Sequence, residues 1–267
     1  MSASQPTDTS SAAGRTALVT GAASGIGAAV VRRFARDGMT VVAVDRDAGG
    51  LTALRTDLAG ESQALADLVE PVAVDLTDLA AVDALAASQP ADVLVNNAGI
   101  QHVAPIQEFP PDTFDLIIAL MLTSPFRLIR GALPHMYARG WGRVINISSV
   151  HGVRASEFKS AYVAAKHGME GLSKVTALEG GPHGVTSNCV NPAYVRTPLV
   201  EKQIAAQATR HGIAESEVIE QIMLAPVAVK RLVEPDEVAE LVAFLASDHA
   251  ASVTGSSYLM DGGWSAH

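Results

Sequence analysis

The chain is expected to fold as an α/β protein, with one doubly wound parallel sheet covered by helices on both faces. Three features predict this. Short, nearly continuous apolar runs rich in β-branched residues alternate with longer segments whose apolar residues recur three and four apart. Strands without polar alternation belong to a parallel sheet buried on both sides. No linker, repeat or change of composition divides the 267 residues, and 48% hydrophobic against 18% charged content suits one large domain with a well-buried core.

From Arg15 onward the strands are expected at residues 16–20, 40–44, 71–74, 93–96, 143–147, 186–190 and 257–260. Helical spacing is expected at 28–36, 79–87, 114–139, 160–180 and 235–246. Gly38 stops the first helix, while Asp78 and Glu234-Pro235 are helix starts. Residues 198–224 read as an inserted helical pair. Residues 1–14 are rich in Ser, Thr and Ala, with no basic start or hydrophobic centre, and read as a flexible tail rather than a secretion signal. No apolar stretch is expected to approach the ~20 residues of a membrane span, so no membrane partner is expected and the cytoplasm is the default location. The net charge of −9 argues against a general nucleic-acid binder. The single cysteine, Cys189, excludes an internal disulfide; it reads as a small buried hydrophobe, with a reactive thiol as the alternative. No metal is expected.

In a sheet of this type ligands sit outside the carboxyl ends of the strands, where strand order reverses. The run Thr20-Gly-Ala-Ala-Ser-Gly-Ile-Gly27 leaves the first strand and opens the first helix. Gly21 permits the tight turn, Gly25 and Gly27 allow close approach of backbone, and the helix N-terminus favours a pyrophosphate; Ser24 and Ile26 lie in the same run. Asp45, eighteen residues past Gly27, can accept both ribose hydroxyls and would repel a 2′-phosphate, which favours NAD over NADP; Arg46 is the counter-signal. Asp75, with Leu76 beside it, either meets the adenine amine or caps the next helix together with Asp78. Asn96-Asn97-Ala98-Gly99 ends the fourth strand with small residues that leave room for a ribose.

Tyr162 and Lys166 are four residues apart, which on a helix places a phenol beside an ammonium. A free tyrosine, with a pKa of about 10, is a poor base at neutral pH, and a nearby cation favours its phenolate. Ser149, thirteen residues upstream, ends an apolar strand where its hydroxyl can meet the same substrate atom.

Together these motifs, with Asn191-Pro192, resemble the short-chain dehydrogenase/reductase superfamily, whose fold is of the Rossmann type. A narrower resemblance is to bacterial D-3-hydroxybutyrate dehydrogenases. It rests on Gly99-Ile-Gln101-His-Val103, Ser149-Val-His151-Gly152, the run Lys159 to Gly168, Thr197 to Gln203, and Asp261-Gly-Gly-Trp264. It implies Tyr162 as general base, Lys166 as its electrostatic partner and ribose ligand, and Ser149 as polarising donor. Gln101, His151, Lys159 and Gln203 would hold a substrate carboxylate, and Trp264 would close on its methyl end. Pro192, Val195 and Thr197 would lie at the nicotinamide, and residues 198–224 would form a lid carrying Gln203. The resemblance also implies a homo-oligomer, a tetramer, built on the 114–139 and 160–180 helices and the C-terminal edge. One departure stands out: Met121 occupies the place where the superfamily carries an asparagine. That admits a relay built differently, a weakened enzyme, or a misplaced register. The implied activity is NAD-dependent oxidation of 3-hydroxybutyrate. The alternatives are another small alcohol or a 3-oxoacyl substrate, or a cofactor-binding sensor with a decayed site.

Overall fold

The computed structural model describes residues 13–266; most of the expected N-terminal tail, residues 1–12, lies outside them. Seven parallel strands form one sheet: β1 (Thr16–Thr20), β2 (Thr40–Asp45), β3 (Val69–Ala73), β4 (Val93–Asn96), β5 (Gly142–Ile147), β6 (Val185–Pro192) and β7 (Ser257–Met260). Their spatial order is β3-β2-β1-β4-β5-β6-β7, so the chain reverses direction across the sheet between β1 and β4. The third strand begins two residues before the expected 71–74 and the sixth runs on to Pro192, because pairing with neighbours recruits residues that local pattern leaves out.

Helices α1 (Gly25–Arg36) and α10 (Pro235–Ala246) cover one face. Phe34, Val31, Val238 and Val242 pack there against Val19, Val41 and Ile145 of the strands. Helix α2 (Ala48–Glu61), absent from the expected segments, joins the same layer through Leu51, Leu54 and Leu58. Its helical spacing was present in the sequence, but glycines at 49, 50 and 60 obscured it. A short helix α3 (Gln63–Asp67) follows it.

On the opposite face lie α4 (Leu79–Ser88), α5 (Pro111–Ile118), α6 (Ser124–Arg139) and α7 (Ser160–Gly180). The expected single helix at 114–139 is continuous in the backbone but widens to a π turn over Ala119–Thr123. Pro125 has no N–H to return to the Met121 carbonyl, four residues back, so the regular ladder cannot continue there. The run 111–139 also overturns the expectation about membrane length. It is long and apolar enough, by length and composition, to cross a bilayer. In this fold it covers the sheet instead, with Leu128, Ile129, Ala132 and Met136 packed against Leu18, Leu94 and Val144.

The segment 198–224 is helical as expected: α8 (Pro198–His211), then the single turn α9 (Glu215–Glu217) and a π turn over Val218–Met223. It has its own small core of Val200, Ile204, Val218, Met223 and Leu224, against which Tyr194 and Trp264 pack.

Candidate active site

A cleft of about 690 Å³ opens at the carboxyl ends of the strands. It is walled by the loops after β1, β2, β3, β4 and β5 and by one face of α7. Of the residues assigned to a dinucleotide, Gly21, Ser24, Gly25, Ile26, Asp45, Asp75, Leu76, Asn97, Ala98, Gly99, Tyr162, Lys166, Pro192, Val195 and Thr197 all line it. Gly27 does not. It sits behind the loop, where a Cβ would collide with the Gly21 carbonyl and come within 2.7 Å of Asn97 Nδ2. Gly27 thus serves the close packing of helix on strand. Asn97 Nδ2 donates to the carbonyls of Thr20 and Gly21, and Thr20 Oγ1 accepts from the backbone of Asn97 and Ala98, so the β1 and β4 loops are stitched together.

The donor set suits an anionic dinucleotide. Ser24 caps α1 in extended conformation with no side-chain bond to the helix, which leaves the first turn's N–H groups facing the cleft. Asp45 accepts from Ala23 N at 3.1 Å and Asp47 N at 3.0 Å, and so orients the glycine loop while keeping lone pairs for further donors. Asp75 accepts from the Thr77 backbone and hydroxyl, which hold its carboxyl below its usual value. The cap of α4 is Asp78 alone.

Tyr162 and Lys166 share the α7 face that lines the cleft, with Lys166 Nζ 5.6 Å from the Tyr162 ring centroid. The expectation that this cation lowers the tyrosine pKa is corrected: burial raises it, opposed by a hydrogen bond with Ser149. Desolvation of the phenolate outweighs that bond. Lys166 is itself lowered to about 8 by burial, against the fields of Cys189 and Glu170, and its Nζ donates to the Ile147 carbonyl at 2.6 Å. Ser149 Oγ lies 3.3 Å from His151 Nδ1 and accepts from His151 N at 3.2 Å.

Beyond Tyr162 the residues expected to hold a carboxylate are gathered in part. The His151 ring meets Tyr162 edge-on at 5.9 Å and Trp264 at 5.4 Å, and its Nε2 lies 2.8 Å from Ser156 Oγ. Lys159 Nζ is 5.7 Å from the ring of Tyr194, an aromatic wall that the sequence reading missed. Its only sequence signal was its position two residues after Pro192. Gln101, in the loop after β4, and Gln203, on α8, are half-buried, and neither they nor His151, Lys159 and Trp264 line the cleft itself. Met121 is fully buried in the π turn, lines the cleft, and packs near Gly99, with Ile117, Ala161, Ala165 and Tyr162 around it.

Burial, then the charges of Lys159 and His167, push His151 down to about 3. It is therefore neutral at working pH, while burial lowers the pKa of Lys159 beside it. A folded-state value below the unfolded one means that this stability is present above about 6.5 and is lost as pH falls toward about 3. Thermal unfolding should show this: the Tm advantage of the unaltered protein over its own acid form should shrink in His151→Asn across that window. An unchanged acid slope would count against a buried neutral imidazole.

A family model described as short chain dehydrogenase matches residues 15–208. The D-beta-hydroxybutyrate dehydrogenase of Rhizobium meliloti (strain 1021) is 46% identical over 262 residues, covering 94% of this chain and 99% of that protein. The D-beta-hydroxybutyrate dehydrogenase of Cupriavidus necator is 44% identical over 256 residues, covering 94% and 98%. A crystal structure provisionally assigned as an NAD(P)-dependent gluconate 5-dehydrogenase of Beutenbergia cavernae, with NADP at low occupancy, superposes with a TM-score of 0.84. It is 34% identical and covers 96% of this chain and 98% of that one.

Proposed function

Because this chain belongs to the short-chain dehydrogenase family, we propose that it oxidises D-3-hydroxybutyrate reversibly to acetoacetate with NAD. The observation that carries this reading is the pair Tyr162 and Lys166 lining the cleft, with the half-buried cation Lys159 near His151. Lys159, flanked by Tyr194, His151 and Trp264, offers charge and aromatic walls to a small carboxylate with a short apolar end. The names of the two bacterial relatives support the same substrate.

When bound, NAD supplies the hydride acceptor. Tyr162 takes the hydroxyl proton of the substrate as its carbinol carbon becomes a carbonyl. Ser149 donates a hydrogen bond to the same oxygen and stabilises the charge that develops there. Lys166, an ammonium below about 8, favours the phenolate that burial alone opposes. Gln101 and Gln203 are assigned as further donors to the carboxylate, and residues 198–224 as the lid that brings Gln203 in and excludes water. The chain is also proposed to be a homo-oligomer, for which Val175 and Leu178 on α7, 52% and 80% exposed, offer an apolar surface.

The decisive assay follows NADH formation with each enantiomer of 3-hydroxybutyrate. Turnover of the D form, abolished when its carboxylate is esterified, is the expected result. Retained activity on the ester would favour a neutral small alcohol instead.

Cofactor choice is assigned to Asp45, and Arg46 is the exposed cation next to it. Asp45→Ser removes the carboxylate that would repel a 2′-phosphate and accept two ribose hydroxyls. Each lost charge-assisted bond is worth about 1.5–3 kcal/mol, so kcat/KM for NAD should fall at least tenfold while that for NADP rises. If the unaltered protein already prefers NADP, the assignment fails.

A further inference from the structure

One turn beyond Lys166 on α7 lies a buried carboxylate with no part in the chemistry above. Glu170 is 5% exposed and does not line the cleft. Tyr162, Lys166 and Glu170 follow one another at intervals of four, so one stripe of α7 carries phenol, ammonium and carboxylate in succession. Glu170 Oε1 accepts from Asn191 Nδ2 at 2.6 Å, and Oε2 accepts from Ser257 Oγ at 2.5 Å. The same Asn191 nitrogen donates to the Ser149 backbone carbonyl at 2.9 Å. A Cβ on Gly152 would come within 2.7 Å of Glu170 Oε1, so the turn behind Ser149 rests directly on this carboxylate.

Two neutral donors satisfy the oxygens of Glu170 but leave its charge uncompensated, and a buried charge is costly without a partner. Lys166 has the complementary problem, since its hydrogen bond goes to a neutral carbonyl. The other ionisable groups facing this pair leave the two to each other. Cys189 on β6 is uncharged, because burial pushes its thiol far up. His151, after β5, is neutral. Burial favours the protonated form of Tyr162, and Met121 carries no charge. With the Cys189 thiol uncharged, Glu170 is the carboxylate among the described residues whose field raises the Lys166 pKa.

We propose that Glu170 is a positioning residue for proton transfer: its buried negative charge keeps Lys166 an ammonium, and through Asn191 it fixes the backbone of Ser149. This rests on the reading of Tyr162 as the base. It gives the site a charged support behind Lys166 in a chain whose residue 121 offers no carboxamide. A brace of purely structural value would need only the two hydrogen bonds, which a glutamine can largely reproduce, so charge is the property to test.

The test is an ultraviolet difference titration of the Tyr162 phenolate with nicotinamide cofactor bound, using Tyr162→Phe as the background, run alongside the pH profile of kcat. Glu170→Gln keeps shape and removes charge. It should move the phenolate midpoint up by about one pH unit, with the acid limb of kcat following, and Glu170→Asp should restore most of the shift. An unmoved or lowered midpoint in Glu170→Gln, whatever its Tm, overturns the proposal. Should Glu170→Gln fail to fold, the uncharged Glu170→Met of similar volume is read in its place: an upward shift supports the proposal and an unmoved or lowered midpoint overturns it. If the unaltered protein forms no NADH from D-3-hydroxybutyrate, the substrate assignment falls, while the phenolate titration still decides the role of Glu170.

Discussion

Replacing Tyr162 by phenylalanine should lower kcat by about 10²–10⁴-fold, the usual contribution of a positioned general base. The substitution deletes one oxygen and little else. The ring stays packed beside Met121, Ala161 and Ala165 and keeps its edge contact with His151, so the fold and the cleft should survive. Cofactor affinity should change little, because the glycine loop, Asp45 and Lys166 are untouched. Burial raises the Tyr162 pKa, so the hydroxyl must be activated by the charges around it, and a ring without a hydroxyl has nothing to activate. Single-turnover NADH formation together with cofactor titration separates the two effects. Turnover within about tenfold of the unaltered protein would remove Tyr162 from the base role, and a matching loss of cofactor affinity would show that the ring itself holds the dinucleotide.

Gly27→Ala should be strongly damaging. The new Cβ overlaps the Gly21 carbonyl and presses on Asn97 Nδ2, both of them backbone-anchored parts of the stitched β1 and β4 loops. Neither can swing aside as a surface side chain would. Overpacking of this kind typically costs about 1–3 kcal/mol, or roughly 2–12 °C in Tm for a domain of this size. The loop can yield only by opening toward the cleft, so cofactor binding should weaken in the same variant. Calorimetry and cofactor titration check the two halves of this expectation. A variant with unchanged Tm and affinity would mean that α1 can slide away from β1 freely.

Much of this architecture was legible because the relevant signals are local. Parallel strands announce themselves as short apolar runs, and each expected strand overlaps an observed one. Most of the cleft-lining residues were legible because they sit in the few positions after a strand, where the fold delivers them to one edge; Tyr162 and Lys166 instead came from helical spacing. Helix α2 was less legible, since glycines diluted the spacing of Leu51, Leu54 and Leu58. The π turn at 119–123 needed the placement of Pro125 to be read against the carbonyl of Met121. Glu170 looked like an ordinary polar residue on a long helix. Only the packing of β6 and β7 against α7 makes it a buried carboxylate with two donors.

From its order of residues alone the chain specified an alternating strand–helix scaffold, a glycine-rich turn after the first strand and the pairing of a phenol with an ammonium, because turns and helical intervals depend on neighbours a few positions away. The tertiary structure alone decided which of those charges stand in water and which do not. Desolvation depends on the whole set of surrounding atoms, and it outweighs the nearby cation at Tyr162, silences His151 and leaves Glu170 facing Lys166.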